Sequence, residues 1–259
     1  MPETLKKVIH KKPGEKYYGA QRPQPIFEGD IFKNTRGTEF VVKDYYFSNK
    51  VIIKFLDEFG FERFTNVDGI KKGLVKNPYD KVHSGVGYLG EGIHNSSSPH
   101  YAKWAAMISR CYNKEIQSKR YPSYLGCSVD SIWHNFQNYC EWSSNNEFYN
   151  KGWHLDKDLI VLGNKVYSPE TCCFIPPEIN SCLINCLDEF SGVNFDKSRG
   201  LYLVRASLNK KVKNLGRFDS EQEALIVYRK YKQMHLNDLS EKYEGLVDKR
   251  VLKTLREIF

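Results

Sequence analysis

The run GWHLDKDLIVLGNKVYSPETCCFIPPEINSCLINC, residues 152 to 186, gathers the side chains best suited to chemistry. His154, Asp156 and Asp158 alternate along a strand-like stretch, so a strand would put them on one face and Lys157 on the other. An imidazole and two carboxylates are proton carriers and oxygen or nitrogen ligands, the groups that serve acid–base and metal-assisted hydrolysis. Lys157 would act as a base only with a strongly depressed pKa, and nothing in the sequence promises one. The structural alternative is a charged strand face, with Asn180 capping a local turn.

Two other motifs carry less. Five of the seven cysteines (Cys140, Cys172, Cys173, Cys182, Cys186) lie in this central part, but none forms a CxxC knuckle. They read as buried, reduced thiols rather than as a structural zinc site or a disulfide framework. GVGYLGEG, residues 85 to 92, contains G-x-G-x-x-G at Gly85, Gly87 and Gly90. It is followed by NSSSP instead of a helix, so it reads as a linker and not as a phosphate cradle.

Several elements must position the central residues. A first strand ends in a turn at Gly163-Asn164, a second runs from about Lys165 to Ile175, and Pro176-Pro177 opens a helix that holds Asn180. Upstream, Trp104, Met107, Ile108 and Cys111 recur at helical spacing behind Ser98-Pro99. Arg110, Lys114, Lys119 and Arg120 on or just past that helix give either a phosphate-facing or a solvated side. A second helix, from about Asp130 to Trp142, would place Ile132, Trp133, Phe136, Tyr139 and Cys140 together.

The β, β, α order, with His154, Asp156, Asp158, Asn164 and Asn180 along it, resembles the HNH or ββα-metal nuclease family. The resemblance implies His154, Asp156, Asp158 and Asn164 as catalytic residues. It also implies Asp156, Asp158 and Asn180 as ligands of one divalent ion, Mg²⁺ or Mn²⁺. TCCFIPPEIN matches the family's closing pattern in spacing, with Asn180 at its final asparagine and Thr171 where an earlier one would stand. The departure is at Leu155 to Asp158: many members read DHxD where this chain reads LDKD, which puts Lys157 at the general-base position unless His154 shifts in to serve.

At the other end, FSGVNFDKSRGLYLVRASLNKKVKNLGRFDSEQEALIVYRKYKQMH predicts three strands and a helix that starts at the capping box Ser220–Glu223. These residues resemble the APETALA-type (ethylene-response-factor) DNA-binding domain. The counterparts are Gly192-Val193, Leu203 to Ala206, Leu215-Gly216-Arg217-Phe218 and Tyr228. The resemblance implies a sheet that enters the DNA major groove. Lys197, Arg199, Arg205, Lys210, Lys211, Lys213 and Arg217 would be its DNA-binding residues. Asn194 and Asn214 stand where plant members carry arginine and tryptophan, so their base preference does not transfer.

The remaining chain is expected to begin with a basic arm over residues 1–27. A small β-barrel follows at 28–77, made of EFVVKDYYF, KVIIKFL and FERFTNV, and then a linker at 78–98. The HNH-like ββα module with its preceding helices fills 99–188, and the APETALA-type domain with a helical extension fills 189–259. The expected fold class is α+β multidomain: an N-terminal small β-barrel, a central helical plus ββα-metal (HNH-like) module, and a C-terminal three-stranded sheet with one helix. A net charge of +8 over 259 residues suits a polyanionic partner. No run reaches the about 20 apolar residues of a membrane span, and the first residues resemble no signal peptide. Together the motifs resemble bacteriophage HNH-type homing or nicking endonucleases. That resemblance implies metal-dependent cleavage of double-stranded DNA in a host cytoplasm, with no membrane partner. Two alternatives stay open: a catalytically degenerate DNA-binding or anti-defence protein, and an adaptor that meets a host protein through the N-terminal barrel.

Overall fold

A computed structural model describes residues 26–150, 152–186, 192–208 and 211–258 of the chain. All but the last two residues of the expected basic arm lie outside the described residues. By internal contacts the chain divides into two units, one up to Val82 with Tyr88–Ile93, the other His83–Gly87 with His94–Phe259.

The first unit is an antiparallel meander of β1 (Ile31–Lys33), β2 (Glu39–Phe47), β3 (Lys50–Phe55) and β4 (Glu62–Thr65), followed by α1 (Val67–Lys71). Its turns follow from side chains that imitate backbone: Asn34 Oδ1 accepts from Arg36 N and Thr38 N, and Asp57 Oδ1 accepts from Phe59 N and Gly60 N. Phe40, Val42, Tyr45, Val51, Ile53 and Phe55 are buried on one face, with Ile70 of α1 against them. The inward positions slip from even to odd along β2 because the register shifts between Val42 and Asp44. This sheet is open, in the order β1-β2-β3-β4, and the expected closed barrel is not what the strands form. Four strands with one covered face can leave the opposite face to solvent, which removes the need for closure.

The second unit begins with α2 (Tyr101–Tyr112) and α3 (Lys114–Lys119), then β5 (Ser128–Val129) and α4 (Phe136–Asn145). Helix α2 buries Trp104, Met107, Ile108 and Cys111, the stripe that the spacing predicts. The single helix expected from Asp130 to Trp142 is instead a 3₁₀ turn, Ser131–His134, and then α4. Asp130 caps the turn through Ile132 N and Asn135 caps α4 through Gln137 N, so two caps in quick succession break the run. Ile132 is therefore exposed, while Trp133, Phe136, Tyr139 and Cys140 are buried.

Next come β6 (His154–Asp156), β7 (Val166–Tyr167), β8 (Cys173–Ile175) and α5 (Pro177–Cys186). The second expected strand is split: β7 pairs in parallel with β5, and only β8 pairs antiparallel with β6. The break is the turn Ser168 to Cys172, closed by Cys172 N to Ser168 O at 3.0 Å and holding Pro169. The β, β, α order survives as β6, β8, α5.

The C-terminal part has β9 (Val193–Asp196), β10 (Leu201–Leu208), β11 (Lys211–Phe218), the 22-residue helix α6 (Glu221–Lys242) and α7 (Lys249–Glu257). The sheet runs β11-β10-β9, all antiparallel. Ser220 caps α6 through Glu223 N. Helix α6 belongs to two cores. Ala224 and Tyr228 pack on Val204 and Ala206 of the sheet. Leu236 and Leu239 join Val251, Leu252 and Leu255 of α7 against Leu159, Ile175, Ile179 and Leu183 of the ββα segment. Among the described residues, seven α-helices accompany several sheets, and no helix is long and apolar enough to cross a membrane.

Candidate functional site

Strand β6 is three residues long, and what ends it decides the geometry of the site. Asp156 Oδ1 accepts from the backbone N–H of Asp158 at 3.1 Å and of Leu159 at 2.8 Å, bending the chain directly after the strand. Strand parity consequently stops at Asp156, and Lys157 does not turn away from the carboxylates. Lys157 is 8 % exposed, and its Nζ lies 2.8 Å from Asp158 Oδ2. The rings of Tyr124 and Tyr167 flank the same ammonium at 5.5 and 5.8 Å.

His154, Asp156, Asp158 and Asn180 line one cleft of about 700 Å³, with Lys157 beside them. Helix α2 contributes Lys103 and Arg110 to the same lining, and Lys165 joins them. Lys103 and Arg110 are seven residues apart, so the helical period that predicts the buried stripe also puts these two on a common face. Trp153, Tyr124 and Tyr167 supply the aromatic lining, and no local sequence signal marks the two tyrosines.

Asn164 is not part of this lining. Its amide is used on the loop: Nδ2 donates to Lys157 O and to Val166 O, each at 2.7 Å, and Oδ1 accepts from Val166 N at 3.1 Å. It holds the carbonyl of Lys157 from behind, in a loop that Gly163 turns with φ +76°. Thr171 likewise serves its own turn, bonding Ser168 Oγ and Val166 O.

The electrostatics sort the cleft's groups. Burial, and after it the Asp158 carboxylate, push the Asp156 carboxyl up to about 6. Burial would lower Lys157, but the hydrogen bond and charge of Asp158 prevail and raise it, so it is an ammonium and not a base. Burial disfavours the thiolate at four cysteines, raising Cys140 to about 11 and Cys111 to about 12, and raising Cys172 and Cys173 as well.

Among the described residues no three His, Cys, Asp or Glu side chains cluster as a metal cage. A magnesium-type ion does not require one, since it takes one or two carboxylates and fills its shell with water and phosphate oxygens. Asp156 Oδ2 and Asp158 Oδ1 accept no hydrogen bond from a described residue, and both residues line the cleft together with Asn180. This hard-oxygen donor set fits such an ion.

The C-terminal sheet presents the second candidate surface. Directly opposed residues share a face, so the side away from α6 carries Asn194, Leu203, Arg205, Ser207, Asn214 and Arg217. Of the seven basic residues expected there, Arg205 and Arg217 lie on this open face and are exposed. Lys213 is paired with Ala206 on the helix side, its Nζ 5.0 Å from the Tyr231 ring. Lys197 and Arg199 are exposed in the β9–β10 turn, Lys211 takes the strand position opposite Leu208, and Lys210 lies outside the described residues. The Gly192-Val193 pair has a steric reason. A Cβ on Gly192 would fall 2.0 Å from the Tyr228 ring and 2.5 Å from Arg205 O. Only glycine lets the first strand approach the helix this closely.

In comparisons with known proteins, no family model, curated protein or solved structure matches this chain.

Proposed function

We propose that the chain is a DNA-binding protein with an HNH-like endonuclease cleft, of the kind found in bacteriophages, acting on double-stranded DNA by metal-dependent phosphodiester hydrolysis. The observation that carries this is that His154, Asp156, Asp158 and Asn180 line one cleft together with Lys103, Arg110 and Lys165. Basic side chains in the lining attract a phosphate backbone, and the carboxylates among them would repel that backbone unless a cation stood between. Asp156 and Asp158, with Asn180, would hold a Mg²⁺ or Mn²⁺ ion, which when bound supplies charge to the scissile phosphate and the leaving oxygen. His154, exposed at the cleft edge, is the group placed to take a proton from water. Lys157 keeps Asp158 oriented, and Asn164 fixes the backbone that carries Lys157. The open face of the C-terminal sheet, led by Arg205 and Arg217, grips the duplex in the manner of an APETALA-type domain.

Purified full-length protein is expected to nick supercoiled plasmid with Mg²⁺ or Mn²⁺, and Asp156→Ala or Asp158→Ala to abolish nicking. Equal nicking by wild type and both variants would remove the site assignment.

One observation favours a second reading, in which the cleft binds DNA and no longer cuts it: the Lys157 ammonium already neutralises Asp158 at 2.8 Å. That form shows salt-sensitive duplex binding, weakened by Arg205→Ala with Arg217→Ala, and no cleavage with either metal. The open sheet of the first unit is a docking surface for a host protein in a third form of the proposal.

A further inference from the structure

The cleft's four lining cations are not equivalent. Lys157 has its carboxylate in Asp158. Lys165 Nζ donates to Ser123 O, and Lys103 lies over the Tyr149 ring at 5.8 Å. Arg110 differs from all three. Its Cζ is 5.1 Å from the centroid of Tyr124, the ring that Lys157 also approaches at 5.5 Å, and its Nε is buried with no acceptor among the described residues. Two cations thus share one aromatic ring while a single carboxylate serves only one of them. A buried donor without a partner is costly, and a guanidinium kept over a ring has less freedom to lose when its fork meets an anion. What the arrangement lacks is an anion with oxygens spaced for that fork.

We propose that Arg110 is the phosphate-binding residue of the cleft, receiving the non-bridging oxygens of one DNA phosphodiester, and that Tyr124 is the positioning residue whose ring holds the guanidinium in place for it. Arg–phosphate pairs of this kind are bidentate and charge-assisted, so the contact fixes orientation as well as adding attraction. This rests on the DNA reading of the cleft but not on catalysis, because a phosphate is held whether or not it is cut.

The test is the salt dependence of binding by the full chain to a short fluorescent DNA duplex, with chloride varied at constant pH. Each phosphate contact contributes about 0.9 to the slope of log Kd against log salt. Arg110→Gln, which keeps a polar stem and drops the charge, is expected to lower the slope by about one, and Arg110→Lys to restore most of it. Tyr124→Phe should keep the wild-type slope because the ring remains, whereas Tyr124→Leu should behave like Arg110→Gln while melting as a folded protein. Arg205→Ala serves as the independent arm, lowering the slope through the C-terminal sheet. A wild type that binds duplex with a slope indifferent to Arg110→Gln overturns this inference and leaves the DNA reading intact. A wild type that binds no duplex removes the DNA reading, and this inference with it.

Discussion

Asp156 sits under opposing demands, since two backbone N–H groups stabilise its charge while burial and Asp158 disfavour it, with the net result a carboxyl raised from 3.8 to about 6. The sign follows from proton linkage. Between the unfolded and folded values the native state binds the extra proton, so stability falls as pH rises through about 4 to 6 and the full penalty persists above that. Asp156→Asn keeps an oxygen for Asp158 N and Leu159 N and removes the ionisation. It is expected to stabilise the apoprotein at pH 7.5 by up to about 3 kcal/mol, with the gain fading toward pH 4. Urea denaturation at both pH values measures this, and a gain independent of pH would refute it. Residue type and strand alternation singled out His154, Asp156 and Asp158, and Asn180 joined them through the resemblance to the ββα-metal family. Two facts were hidden. Lys157 shares the cleft because a side-chain acceptor ends the strand at Asp156, well short of the Gly163-Asn164 turn to which its pattern runs. Asn164 is spent on the loop because an amide serves backbone as readily as substrate.

At the level of elements, periodicity was informative wherever one face is buried and the run is long. Helix α2 and the β9-β10-β11 hairpins with α6 follow the pattern closely. The run from Lys165 to Ile175 did not, because Ser168 and Pro169 make a turn in an otherwise β-rich stretch, and its two halves pair with different strands. The barrel expected at residues 28–77 also failed to close, since strand signals say nothing about whether a first and last strand meet. Helix α6 was visible as a helix, yet its division of labour was not, because its partners lie in distant parts of the sequence. Leu236→Ala tests that division. Truncating this fully buried side chain should cost about 3 kcal/mol. Hydrogen exchange should show β8 and β10 losing amide protection together, because the same helix runs through both cores. Loss confined to β8 and α7 would mean that the two cores open independently.

For the molecule as a whole, the chain alternates between the two units along residues 83–94. His83 packs edge-on to Trp104 with ring centroids 4.8 Å apart, and a Cβ on Gly87 would meet that indole at 3.1 Å, so these residues belong to the second unit. Tyr88, five residues past His83, packs with Phe59 and Tyr79 of the first unit. The glycine-rich stretch that reads as a linker is therefore partly core. A fragment of residues 83–259 is expected to melt above one of residues 94–259, by about 2 to 4 °C for each kcal/mol of packing lost around Trp104. Calorimetry of the two fragments decides it, and equal melting temperatures would count against a structural role for His83–Gly87.

Helix α6 has one more implication when its two attachment points are taken as marks on a ruler. Ala224 meets the sheet and Leu236 meets the ββα core, a separation of about 18 Å along a straight helix at 1.5 Å per residue. On duplex DNA that length corresponds to about five base-pair steps. On the proposed function, a protein built on this ruler would act at a set offset from the bases that its sheet contacts. Lengthening the helix between Tyr228 and Leu236 would then move the point of action along the DNA and rotate it about the duplex axis.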